Sequence, residues 1–233
     1  SNAGKQPFFL YFAHSMPHVP LHTDANFKGI SGKGIYADVI QEIDWSVGQI
    51  VSALSQHEVR DNTLIFFLSD NGPWRSYGNH GGDSGGLRGG KFDVWEGGFR
   101  VPAIASWPAR IPRGGVNNHV ISTIDILPTL AYIAGTKPSG RTIDGVNIIE
   151  SLTGGSTDEL GNRHLFYFLG SQLAAVRKSH WKYVFEHTGH AVLEPGADGE
   201  NGKSDFSVEV KEALYDLSGD RAESANVIER HPS

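Results

Sequence analysis

Residues 64–100 read LIFFLSDNGPWRSYGNHGGDSGGLRGGKFDVWEGGFR, and no other stretch of the chain constrains its fold as tightly. The run Leu64-Ile65-Phe66-Phe67-Leu68 is continuously apolar and is bounded by Asn62 before it and Gly72-Pro73 after it. That pattern predicts a strand buried on both faces of a mostly parallel sheet. Asp70 and Asn71 fall at its carboxyl end, the edge at which open α/β sheets bind ligands. A carboxylate beside a carboxamide offers hard oxygen donors, suited to Ca²⁺ or Mg²⁺; the same Asp-Asn-Gly-Pro is also a good turn. Seven glycines between Gly78 and Gly90 then let the backbone approach a ligand closely, and the loop ends on Lys91. A lysine delivered there is a candidate oxyanion anchor, although a lysine after glycines is also ordinary surface.

The rest of the chain reads as cover for that edge. Residues 8–13 are a second apolar strand candidate, leading into HSMPHVPLH, with His14, His18 and His22. Two prolines separate these histidines, so they cannot share one helical face and a metal site there is a weak reading. Residues 34–57 place Ile40, Ile43, Val47, Ile50, Val51 and Leu54 at helical spacing, which predicts an amphipathic helix over the sheet, with Asp44 as a structural carboxylate among them. Residues 101–107 form a further strand candidate. Residues 126–134 form a helix, with Pro128 in its first turn and Gly135 as its stop. Residues 136–163 look like a linker. Beyond them 163–169, 173–178, 181–186 and 213–217 are short aromatic and β-branched runs spaced like an antiparallel meander, with 194–205 an exposed loop.

Composition narrows the function classes. A formal net charge of −6 without a block of like charge argues against nucleic acid or an anionic membrane as main partner. Cysteine is absent, which excludes disulfides, thiolate metal sites and a cysteine nucleophile within these residues. No apolar run reaches the ~18 residues of a membrane span, and the start carries no leader pattern. Ser1-Asn2-Ala3 is expected to be a remnant of tag removal on a segment cut from a longer protein.

Several blocks resemble, in order, the second half of the sulfatase family, closest to its arylsulfatase A type. They are Pro7-Phe8-Phe9-Leu10-Tyr11-Phe12-Ala13 with Pro17-His18-Val19-Pro20, then Phe67-Leu68-Ser69-Asp70-Asn71-Gly72-Pro73, Leu87-Arg88-Gly89-Gly90-Lys91, Trp95-Glu96-Gly97-Gly98-Phe99-Arg100-Val101-Pro102 and, near the end, Leu214-Tyr215-Asp216-Leu217. The resemblance implies an α/β fold with a partial alkaline-phosphatase-like, mostly parallel sheet and flanking helices, followed by a small antiparallel-sheet subdomain. The expected organisation is 4–150 for the second half of the catalytic domain and 151–233 for the antiparallel part. It further implies hydrolysis of sulfate monoesters, of small molecules or of sulfated glycans, through a formylglycine nucleophile assisted by Ca²⁺. His18 and Lys91 would be the catalytic residues, Asp70 and Asn71 the metal ligands, and His80 and Arg88 second-line substrate contacts. The parent is expected to be periplasmic or secreted.

One element departs from the family's order. Ser106-Trp107-Pro108-Ala109-Arg110 spells the segment that is converted to formylglycine, but in the family that segment lies upstream of the histidine loop and opens a helix. Here it runs into Ile111-Pro112-Arg113-Gly114-Gly115, which cannot continue one. The nucleophile with its arginine, another lysine and two upstream aspartates of the Ca²⁺ site have no counterpart in these residues. The chain alone is therefore expected to be inactive, and to self-associate, as a homodimer through a truncated sheet. The alternatives are a phosphate or phosphonate ester hydrolase of the same superfamily, and a non-catalytic piece that binds sulfated glycan.

Overall fold

A computed structural model of the chain describes residues 6–138, 140–155 and 157–231. The helix expected over 34–57 spans Ile35–Gln56 (α1), and the apolar run after it forms β1, Ile65–Leu68. The chain then takes a 3-10 turn at Arg75–His80, a one-turn helix at Glu96–Phe99 (α2) and a strand at Ala103–Ser106 (β2). Helix α3, Ile126–Ile133, has Pro128 in its first turn, and Gly135 follows in the left-handed region at φ 68°. Short helices at Ile149–Thr153 (α4) and Asp158–Asn162 (α5) occupy part of the expected linker.

The amino-terminal sheet differs from expectation. The chain leaves β1 at Leu68 and re-enters opposite it at Ala103, so β1 and β2 run antiparallel, Ile65 facing Ser106. Residues 8–13 pair with no strand among the described residues, and Phe8 to Phe12 are exposed. Among the described residues no parallel pair of strands forms and residues 8–13 have no neighbour to pair with, while the flanking helices and the antiparallel sheet that follows are as expected for the α/β class. Residues 8–13 lie instead beside the end of α1, leaving an open groove against Ile50, Ala53 and Leu54. Strand β1 is only half-buried, with Phe67 exposed, and Ile40 and Asp44 of α1 face solvent.

The carboxyl-terminal part follows the meander. Strands at His164–Leu169 (β3), Gln172–Lys178 (β4), Trp181–Val184 (β5) and Ala213–Asp216 (β8) form one antiparallel sheet in the order β3-β4-β5-β8. Its inward residues Tyr167, Ala174, Ala175, Val184, Ala213, Tyr215 and Leu217 pack on Val94 and Trp95. A separate hairpin, His187–Glu194 (β6) with Lys203–Val210 (β7), stands outside that sheet; the loop expected over 194–205 is largely its connection, and the two strands themselves were not expected.

The join between the two parts is charged and buried. Glu96 of α2 takes Arg177 Nη1 at 2.8 Å and Lys182 Nζ at 3.2 Å, and Lys182 Nζ also reaches Glu223 Oε1 at 2.8 Å. Glu223 Oε2 accepts from the Glu96 backbone N–H at 2.6 Å, and the Tyr167 hydroxyl lies 3.4 Å from Glu96 Oε1. Lys182, Glu96 and Glu223 are fully buried. Burial pushes the Glu223 carboxyl and the Tyr167 phenol above their ordinary values, with Lys182 opposing the shift at Glu223. A further buried carboxylate, Asp125, accepts from both terminal nitrogens of Arg163 at 2.6 Å and from the Ser122 and Val146 N–H groups. It ties the start of α3 to the segment leading into β3.

A buried ion cluster is costly to break from one side. Lys182→Met strands the Glu223 carboxylate, while Glu96 keeps Arg177, and is expected to lower stability by about 3–5 kcal/mol in urea unfolding, with part recovered by adding Glu223→Gln. A loss below about 1 kcal/mol would mean that the cluster is not desolvated.

Asp38 gives a pH-dependent test. Its carboxylate, held by the Ser31 side chain and by the Gly29 and Ser31 N–H groups, sits below the ordinary range. A lowered folded value means stability that is present above the usual carboxylate pKa and is lost as pH falls through the lowered one. Asp38→Asn should remove that part of the acid dependence of the melting temperature, and an unchanged acid limb would refute the assignment.

Candidate functional site

The His18 loop is anchored by what flanks it. Val19 and Leu21 are buried against Val39 and Ile43 of α1, with Trp74 and Tyr77 packed on the same cluster. These contacts fix the backbone at His18 while its ring stays at the surface. His18 Nδ1 lies 2.7 Å from the Val19 carbonyl oxygen, an acceptor only, so Nδ1 carries the proton. In the neutral ring Nε2 is then a bare acceptor, and Lys91 Nζ stands 3.3 Å from it.

Lys91 is delivered by the end of the glycine loop. Its backbone N–H donates to the Pro73 carbonyl at 2.9 Å, joining the loop edge to edge with Asp70-Asn71-Gly72-Pro73. The Gly72 N–H donates to Gly98 at 2.9 Å, so this segment is also sewn to α2. The approach is close enough that a Cβ on Gly72 would overlap the Gly97 carbonyl oxygen. The Lys91 ammonium lies 4.4 Å from the centre of the Trp74 ring, a cation–π distance.

Asp70 is exposed at the end of β1, and among the described residues its carboxylate has no hydrogen-bond or ion-pair partner. Asn71 donates its amide N–H to the Gly72 carbonyl at 2.9 Å, which leaves its side-chain oxygen open. Among the described residues no group of three or more His, Asp or Glu side chains is placed to hold a metal ion. Two hard oxygen donors are present at this edge, fewer than the roughly six to eight that Ca²⁺ takes.

The two second-line candidates lie elsewhere. Arg88 stacks its guanidinium 3.5 Å from the centre of the Trp95 ring, and donates to the Tyr215 hydroxyl at 3.1 Å and the Glu223 carbonyl at 3.0 Å. Those partners commit it to holding the carboxyl-terminal segment. His80 faces Gly199 of the β6–β7 connection, with Nδ1 buried and without a hydrogen bond among the described residues. His14 packs its ring on Phe12, and the Ser106 hydroxyl accepts from Arg60 at 2.5 Å. Past Ser106 the chain makes a turn closed by Arg110 N–H to Trp107 at 2.9 Å, not a helix, so the spelling there does not present an anion-binding helix end.

Residues that the sequence did not single out complete the surroundings. Phe92, at φ 76°, and Asp93 follow Lys91 directly. Asp93 accepts from the Gly90 N–H at 3.0 Å and lies 3.5 Å from His190 Nδ1 of β6; burial pushes its carboxyl up, and the Gly90 bond and His190 oppose it. The partner across the hairpin is far away in sequence, and nothing in Lys-Phe-Asp announces it.

Glycine substitutions separate close approach from open space. Gly72→Ala should destabilise the chain by about 1–3 kcal/mol, because backbone must move. Gly48→Ala, mid-helix in α1 with nothing within 4 Å of a new Cβ, should stabilise by about 0.5–1 kcal/mol. Equal effects of the two in thermal melts would show that Asp70-Asn71-Gly72 is not held against α2.

Comparison with known proteins adds an independent finding. The model of a family described as Sulfatase matches residues 1–136. The chain is 42% identical over 185 residues to N-acetylgalactosamine-6-sulfatase of Canis lupus familiaris, an alignment covering 78% of this chain and 35% of that protein. It is 35% identical over 231 residues to arylsulfatase A of Bos taurus, covering 96% of this chain and 45% of the relative. The chain thus spans less than half the length of these curated relatives. Among solved structures, PsFucS1 sulfatase from Pseudoalteromonas sp. superposes with a TM-score of 0.79 at 27% identity, over 92% of this chain and 42% of the other.

Proposed function

The chain belongs to the sulfatase family, and on that premise we propose that it forms the anion-binding half of a site that hydrolyses sulfate monoesters. The observation that carries the reading is the Lys91 ammonium set 3.3 Å from His18 Nε2, with the Lys91 backbone hydrogen-bonded to Pro73 of the segment that follows Asp70 and Asn71. Lys91 binds a sulfuryl oxygen of the ester. His18, once it also carries a proton on Nε2, donates to the bridging oxygen and helps the alcohol leave. Lys91 is fixed before substrate arrives, by its backbone bond to Pro73 and by Trp74, so little reorganisation opposes charge development on the sulfuryl group.

Asp70 and the open oxygen of Asn71 fit a hard cation, and would hold Ca²⁺ together with ligands from outside these residues. Bound there, the cation would neutralise charge on the sulfuryl oxygens. The formylglycine nucleophile also comes from outside these residues, since Ser106 is tied to Arg60 in a turn. On this reading the 233-residue chain does not turn over sulfate esters alone, and the intact protein works outside the cytoplasm, as expected from the family.

In the full-length sulfatase, Lys91→Ala should lower kcat/KM for an aryl sulfate by about 10²–10³-fold with the fold retained. Unchanged kcat/KM would remove Lys91 from the site. Turnover by the isolated 233-residue chain would show that a nucleophile lies within it.

A further inference from the structure

The alcohol half of the ester has no assigned place, and the surface beside Lys91 supplies one. Trp74 and Phe92 meet edge to face with ring centres 5.6 Å apart, and Phe92 and Phe206 of β7 do the same at 5.7 Å. The His190 ring backs both phenylalanines, 5.8 Å from Phe92 and 4.5 Å from Phe206. Lys91 Nζ lies 5.6 Å from the Phe92 ring, so the anion anchor stands at one end of this aromatic row.

These rings are not a closed core. Phe92 is 40% and Phe206 60% exposed, while His190 behind them is buried. Phe92 also holds a left-handed backbone at φ 76°, which is strained for a bulky residue, and such strain clusters at ligand sites. The hairpin bearing Phe206 is fastened to the anchor's side of the molecule. Gly196 and Gly202 in its connection both donate to the Ser76 carbonyl at 2.8 Å, and Asn79 and Asp198 exchange bonds of 2.9 and 2.8 Å. The row is therefore a rigid shelf built from two distant parts of the chain.

We infer that Phe92 and Phe206 form a stacking shelf for the ring of the ester's alcohol, a six-membered ring with an apolar face, either aryl or pyranose. Such a ring lies against the two phenylalanines while its sulfate reaches Lys91. The placement of the sulfate rests on the sulfatase reading; the shelf itself does not.

Ligand-observed saturation-transfer NMR on the 233-residue chain tests this with phenyl sulfate, galactose 6-sulfate, ethyl sulfate and unsulfated phenol. At least one ring sulfate is expected to bind about threefold or more tighter than ethyl sulfate. Phe206→Ala, on an exposed hairpin position, should abolish that preference and leave ethyl sulfate unchanged; whichever ring sulfate shows the preference identifies the aryl or the sugar source. A ring-to-ethyl ratio unaffected by Phe206→Ala, or absent in the unmodified chain, overturns the shelf. Failure of the sulfatase reading looks different: Lys91→Ala then leaves ethyl sulfate binding unchanged. Should no sulfate bind, phenol decides, because phenol binding lost in Phe206→Ala upholds the shelf and its absence overturns it.

Discussion

Three fully buried charged side chains, Glu96, Lys182 and Glu223, determine how the two parts of this molecule meet. They come from a one-turn helix, a sheet strand and the segment past the last strand, so the full set of pairs forms only when all three segments are in place. A buried ion cluster narrows the arrangements it tolerates, since a missing partner leaves a bare charge in a poor solvent. Packing of Val94 and Trp95 on the four-stranded sheet contributes most of the apolar burial around it, but apolar contact alone would permit sliding. The cluster sets the register.

The functional edge inherits that register. Glu96 opens the helix whose glycines receive Gly72, and Gly72 precedes the Pro73 carbonyl that holds Lys91. Position thus passes from the buried charges to the Lys91 backbone through two backbone hydrogen bonds, Gly72 to Gly98 and Lys91 to Pro73. Arg88, whose family position suggested a substrate contact, serves the same frame from the other side by reaching Tyr215 and Glu223.

Much of this was legible before any coordinates. The 3.6-residue period of α1, the apolar run of β1, the Pro128 and Gly135 punctuation of α3 and the four meander strands are local signals, and each element lies within a residue or two of its expected bounds. Lys91 and His18 were legible through motif resemblance, and they come together. The direction of β2 was not, because an apolar run carries no sign of which way its neighbour points. Strand status for residues 8–13 failed for a related reason: propensity describes a segment, whereas a strand is a relation between two. The β6–β7 hairpin was missed because its period is broken at Gly189 and between Val192 and Glu194 by irregular pairing. Asp93 and His190 could not be paired from sequence, being joined only by that hairpin.

The hairpin's independence from the main sheet has an evolutionary reading. Among the described residues strands β6 and β7 pair only with each other, and their connection is held to the Arg75–His80 turn by main-chain groups, Gly196 and Gly202 on the Ser76 carbonyl, and by the Asn79–Asp198 pair. Side chains along β7 can therefore change identity while the hairpin stays docked, and neither the lysine anchor nor the buried ion cluster would register the change. A lineage could exchange one hairpin sequence for another and alter which alcohols are accepted, in the way that a tool changes its bit and keeps its handle.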